Sequence, residues 1–134
     1  MPVPLRVVSV ERSLFEGDVD FVLARGIDGE LGILPRHAPL LTVLKPGELK
    51  IEHDGKEEFL FVGGGFLEVL PDRITVLASV AERAGEIDEK AAEAARKSAQ
   101  DSLAGVTTTS EEAEFRLALE VAEARLRLAK ARRG

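Results

Sequence analysis

All six prolines of this 134-residue chain lie before residue 72, at positions 2, 4, 35, 39, 46 and 71. From residue 86 to residue 133 there is no proline and a single glycine, Gly105. Proline removes a backbone donor and breaks a helix interior, yet it is tolerated at strand ends and in turns. The chain therefore carries two kinds of backbone. A punctuated first part has no room for long helices, and an unpunctuated second part does. The change falls at Gly85 and divides residues 1–84 from residues 85–134.

The first part reads as short strands separated by turns. Leu49-Lys50-Ile51-Glu52-His53 alternates apolar and polar residues, the period of a half-buried strand. Asp54-Gly55 follows it and Phe59-Leu60-Phe61-Val62 comes next, so this Asp-Gly predicts a hairpin. Asp28-Gly29 predicts a second hairpin, between Phe21-Val22-Leu23-Ala24 and Leu31-Gly32-Ile33-Leu34. Pro71-Asp72 separates Phe66–Leu70 from Ile74–Ala78, and Leu5–Val10 and Leu40–Leu44 add further runs. Many short strands at regular spacing predict a sandwich or barrel. Gly63-Gly64-Gly65 precedes a strand and lacks a Gly-Lys-Ser/Thr ending, so it predicts a close approach of one sheet to the other or a bulged strand, and no phosphate loop.

The second part predicts two helices. Asp88 is an N-cap, with Ile87 before it and Ala92 positioned for a small hydrophobic staple. Helix one runs to about Leu103, with Gly105 suited to the C′ position. Thr109 and Glu112 match a capping box that opens helix two. Phe115, Leu119, Ala122, Leu126 and Ala129 form one stripe down it. Ala91, Ala92, Ala95, Ala99 and Leu103 offer a face of mostly small residues on helix one, which predicts a close antiparallel hairpin. Each buried carbon contributes only roughly 0.8 kcal/mol, so an alanine seam predicts a hairpin whose conformation binding can change.

Composition narrows the function. The chain has no cysteine, so a disulfide, a thiolate metal site and a cysteine nucleophile are all excluded. Its two histidines, His37 and His53, lack metal-ligand spacing. His53 predicts a solvated strand end, and His37 lies in the rigid Pro35–Pro39 segment. No hydroxyl residue stands in a nucleophile motif. The pattern assigns no catalytic and no metal-binding residue and predicts that the chain acts by binding partners. The absence of a long apolar run and of a leader pattern predicts a soluble protein that reaches a membrane only indirectly.

Net charge is −6, which argues against nucleic acid. Residues 1–84 hold 9 bases and 14 acids, a balance of −5, and residues 85–110 hold 3 and 5, a balance of −2. Residues 111–134 hold 6 bases and 5 acids, a balance of +1. In that last segment Arg125, Arg127, Lys130, Arg132 and Arg133 follow the acids. This order complements the helix dipole, but the dipole acts only over the last turn, so an acidic partner surface accounts for the rest. The residues by themselves leave open a free adaptor, a β-sandwich with a protein-binding hairpin.

The segment Gly29-Glu30-Leu31-Gly32-Ile33-Leu34-Pro35-Arg36-His37-Ala38-Pro39-Leu40-Leu41-Thr42 resembles the signature of the epsilon subunits of bacterial F-type ATP synthases. Lys45-Pro46-Gly47, Gly64–Val69 and Thr75–Ala78 follow in the family's order, and with the hairpin the likeness spans essentially the whole chain. The resemblance implies a ten-stranded N-terminal β-sandwich over residues 1–84 and a C-terminal antiparallel two-helix hairpin over residues 85–134. It implies a non-catalytic central-stalk subunit that couples proton flow to rotary ATP synthesis. The implied partners are the gamma subunit, the c-subunit ring, and the alpha and beta subunits of the catalytic head. The implied location is the cytoplasmic face of the cell membrane, reached through the complex.

The resemblance further implies that the hairpin can extend along gamma and inhibit ATP hydrolysis. Glu30 matches the position facing the c ring, and His37 lies in the same segment. Arg125, Arg127, Lys130, Arg132 and Arg133 match the stretch that meets the catalytic head. Some members bind ATP through an Ile/Leu-Asp-x-x-Arg-Ala motif. Here Ile87 and Asp88 are followed by Ala91 in place of the arginine, and Lys90 points ~100° away on a helix. The implied ATP binding is therefore weak or absent, and no other cofactor is implied.

Overall fold

The computed structural model describes residues 2–132. The chain divides into two compact units between Arg83 and Ala84. The first holds ten strands: β1 Val3–Ser9, β2 Ser13–Val19, β3 Phe21–Gly26, β4 Gly29–Ile33, β5 Leu40–Leu44, β6 Gly47–His53, β7 Lys56–Val62, β8 Gly65–Leu70, β9 Arg73–Ala78 and β10 Ala81–Arg83. One layer runs β10-β7-β6-β3, with β4 also paired to β3, and the other runs β5-β8-β9-β1-β2. The layers join where β3 meets β5 at the single pair Gly26↔Leu44. At the other end β2 packs against β6 and β10 and nearly closes the sheet on itself. This is the expected ten-stranded sandwich.

Period-2 alternation builds its core. Leu5 and Val7, Leu49 and Ile51, Leu67 and Val69, and Ile74 and Val76 are all buried between the layers. The Asp54-Gly55 hairpin forms as predicted. His53 pairs with Lys56, and both turn residues take positive φ, 52° and 73°, the twist a two-residue hairpin favours. The Asp28-Gly29 hairpin shifts by one residue. Gly26 pairs with Gly29, so the turn falls on Ile27-Asp28 and Gly29 opens β4, the fourth turn position that glycine favours. In the glycine triplet, Gly65 has φ 142° and pairs with Ala78. A Cβ there would overlap the Leu77 carbonyl oxygen and come within 2.9 Å of the Ala78 Cα. The close approach is thus to the neighbouring strand and not between layers.

The second unit opens with a 3-10 turn, Ala84–Glu86, followed by α1 Glu89–Ala104 and α2 Thr109–Ala131. Asp88 caps α1, its carboxylate accepting the Ala91 N–H at 3.0 Å. Gly105 closes α1 at φ −103°, a conformation open to any residue, so the expected left-handed C′ glycine is not used. Thr108 and not Thr109 caps α2, accepting the Glu111 N–H at 3.1 Å. Three consecutive threonines ahead of Glu111-Glu112 offer two registers for one box, and the earlier one wins.

The helices are antiparallel. Glu93 near the start of α1 feels Lys130 near the end of α2, and Arg96 feels Glu123. On α1 the buried residues are Ala92 and Ala99, with Arg96 and Leu103 half-buried, while Ala91 and Ala95 are exposed. The expected alanine face is therefore rotated. On α2, Ala122, Leu126 and Ala129 are buried and Phe115 and Leu119 half-buried, as the stripe predicts. Ala124 and Leu128 are buried as well, a second stripe that the sequence reading lacked.

Candidate functional site

Three surfaces stand out, and the first and third carry the residues singled out from sequence. The first is the segment from Gly29 to Thr42, which is not one loop. Glu30 lies within β4, opposite Arg25, with its carboxylate 3.9 Å from the guanidinium and both side chains about half exposed. Residues 34–37 form a turn in which the His37 N–H donates to the Leu34 carbonyl at 3.2 Å. Pro35 presets its second position, and Arg36 takes φ 65° at the third, a region that costs a non-glycine residue about 1–2 kcal/mol. The His37 Nδ1 lies 2.7 Å from the Ala38 carbonyl oxygen, so as a donor it is tied to its own backbone. Glu30 stands beside the β3–β4 turn and His37 beyond the other end of β4, so the strand separates them.

The second surface is the outer face of the β5-β8-β9-β1 layer. Val43 pairs with Phe66, Phe66 with Leu77 and Leu77 with Val8, so one register row crosses four strands. Phe66 is 53% and Leu77 54% exposed, and Leu41, Val43, Val80 and Ile27 are also exposed. Strand β5 reads Leu-Leu-Thr-Val-Leu and β8 reads Gly-Phe-Leu-Glu-Val-Leu, apolar on both faces. That is the missed signal, since a strand that meets water on one side alternates.

The other layer differs. On β6 the Lys50 ammonium lies 2.8 Å from Glu57 and 3.2 Å from Glu52. Those two carboxylates, Glu57 foremost, raise the Lys50 pKa above its ordinary range. His53 is not a solvated end. Its Nε2 lies 2.7 Å from Glu58, its Nδ1 3.5 Å from Asp54, and its ring meets Phe15 edge-on at 5.2 Å. The contact ties β2 to β6 and leaves the His53 side chain 21% exposed.

The third surface is the end of α2. Arg127, Lys130 and Arg132 are exposed and Arg125 is half-buried, while Arg133 lies outside the described residues. Ile87 is buried and the Asp88 carboxylate is engaged as the α1 cap. Ala91 is exposed and brings no charge to that corner. Among the described residues no His, Asp and Glu cluster could hold a metal, and no helix is long and apolar enough to cross a membrane.

Comparison with known proteins gives a consistent picture. Residues 2–84 match the β-sandwich domain model of the ATP synthase delta/epsilon chain. The chain is 56% identical over 111 residues to an ATP synthase epsilon chain of Acidithiobacillus ferridurans, covering 83% of this chain and 79% of that one. It is 47% identical over 133 residues to an ATP synthase epsilon chain of Herpetosiphon aurantiacus, covering 99% and 98%. A chain in the mitochondrial ATP synthase of Euglena gracilis shares its fold at TM-score 0.80 and 24% identity, over 92% of this chain and 78% of that one. A chain in the central stalk and c-ring structure of Tetrahymena thermophila mitochondrial ATP synthase does so at TM-score 0.68 and 14% identity, over 96% and 97%.

Proposed function

The chain belongs to the ATP synthase epsilon-chain family, and on that premise we propose how its two units divide the work of a non-catalytic central-stalk subunit. The sandwich docks on the gamma subunit through the apolar outer face of β5, β8, β9 and β1. The observation that carries this is the exposed row Val43, Phe66 and Leu77, since a contiguous apolar face on a small domain marks an interaction site. The same unit seats the stalk on the c ring, with Glu30 and His37 as the ring-facing candidates. Because β4 separates these two, crosslinking each in turn to the ring tests which end of the sandwich meets it. The subunit thereby couples proton flow to rotary synthesis while attached to the cytoplasmic face of the cell membrane through the complex.

The hairpin is the regulatory part. Its extended form places Arg125, Arg127, Lys130, Arg132 and Arg133 against acidic residues of the alpha and beta subunits and inhibits hydrolysis. A helix seam with alanine at both of its buried α1 positions supports a low cost of opening. ATP does not set this switch by binding here, because the Asp88 carboxylate is already used as a cap and Ala91 supplies no phosphate contact. Co-purification tests the whole reading. The chain is expected to be retained by a gamma-containing catalytic head, and a Phe66→Glu variant is expected to be lost from it. Retention of that variant at the parent's level would remove the docking face.

A further inference from the structure

The apolar row ends at a small cleft. Beyond Val8 and Leu77 the chain continues into Ser9, Val10 and Glu11 on one side and Ser79, Val80 and Ala81 on the other, and these six residues line about 110 Å³. That is well below the several hundred Å³ of a cofactor pocket and fits one side chain. Val10 is 90% and Val80 50% exposed, so the walls are apolar and reachable. Hydrogen bonds fix both walls. The Ser9 N–H donates to the Arg12 carbonyl at 2.8 Å, and the Ser9 Oγ accepts from the Glu11 and Arg12 N–H groups at 3.3 and 3.2 Å. Opposite, Gly63 N–H donates to the Val80 carbonyl at 2.8 Å and Ser79 N–H to the Gly64 carbonyl at 2.9 Å. A site held this way loses little freedom when it is filled.

The polar groups at the cleft specify its occupant. The Glu11 carboxylate and the Ser79 hydroxyl have no partner among the described residues. A purely apolar guest would desolvate Glu11 without compensating it. A basic side chain lays its methylene stem along Val10 and Val80 and delivers its cationic head to Glu11. Residues 1–84, with 9 bases against 14 acids, add an attractive field for such a partner. We infer that the Val10–Val80 cleft is the anchor pocket of the docking face and receives one lysine or arginine side chain of the gamma subunit. The inference rests on the docking reading above and adds to it the chemistry of the contact and the residue that selects it.

The test is calorimetric titration of the full chain, as parent and variants, into a catalytic head that contains gamma but lacks this subunit. Glu11→Lys is expected to weaken binding about tenfold or more. Glu11→Gln is expected to weaken it less and to flatten its salt dependence. Val80→Trp, which fills the cleft, is expected to weaken it at least as much as Glu11→Lys. Asp72→Lys makes the same charge change at the far end of the layer and is expected to leave affinity unchanged. Phe66→Glu reports on the face itself, and parent-like binding by it means that the docking reading fails. If Phe66→Glu loses binding while Glu11→Lys and Val80→Trp bind like the parent, the anchor pocket is overturned and the face stands. Tighter binding by Glu11→Lys overturns it too, since the guest is then acidic. Thermal midpoints separate misfolding from lost contact. Glu11 lies in an exposed turn, so its variants keep the test decisive where Val80→Trp fails to fold.

Discussion

The two units of this chain hold themselves together with different materials. The sandwich buries leucine, isoleucine and valine from nine of its ten strands, many of them paired across long stretches of sequence. The hairpin buries only alanine on α1, Ala92 and Ala99, against alanine and two leucines on α2. A branched core is lost all at once, whereas a small-residue seam yields to modest competing contacts. The difference teaches that one chain can join a unit with a branched-residue core to one with a small-residue seam on α1, with the boundary set where proline and β-branched strands give way to alanine.

The contrast is broken most severely in the anchor. Leu67 is fully buried on β8, and Leu67→Ala is expected to cost about 2–5 kcal/mol in denaturant unfolding of the sandwich. Gly65→Val comes next at about 2 kcal/mol or more, because a side chain there meets the Leu77 carbonyl oxygen at a φ of 142°. Thermal unfolding of the sandwich reads this directly. In the hairpin the effects are smaller. Asp88→Ala removes the α1 cap and is expected to cost about 1 kcal/mol, seen as lost helicity in far-UV circular dichroism with the sandwich transition unmoved.

The smallest effect sharpens the comparison through pH. Arg96 donates through Nε to the Glu93 carboxylate at 3.1 Å and through Nη2 to the same oxygen. That guanidinium holds the Glu93 pKa below its ordinary value. The folded form therefore binds a proton less readily than the unfolded chain. Its contribution is fully present above the ordinary carboxylate range and is lost as pH falls through and below that range. A pH titration of hairpin helicity is expected to fall there in the parent and to fall less in Arg96→Ala. Because both side chains meet solvent, added salt is expected to shrink the difference.

Much of this comparison is legible in the sequence. Turn residues and alternation mark eight of the ten strands. β2, Ser13–Val19, escapes because Glu16, Gly17 and Asp18 interrupt its alternation, although Leu14 and Val19 are buried. β10 is three residues long, too short to carry a period. The seam of α1 is misjudged because alanine on every side gives a helix no contrast, so Ala91 and Ala95 look equivalent to Ala92 until packing chooses. The separation of Glu30 and His37 by β4 is likewise invisible in a linear motif, where the two look like neighbours in one loop. The apolar outer face is written plainly in β5 and β8. It is missed because alternation is read as one face for the core and one for water, and a strand that is apolar on both faces obeys neither.

The division of labour is tested most directly by assembling the synthase with the chain truncated after Arg83 and measuring subunit retention together with ATP hydrolysis. An autonomous anchor and a regulatory hairpin require that the truncated chain stays bound as the parent does and that hydrolysis rises. Loss of the truncated chain from the complex would contradict the first, and parent-level hydrolysis with full retention would contradict the second.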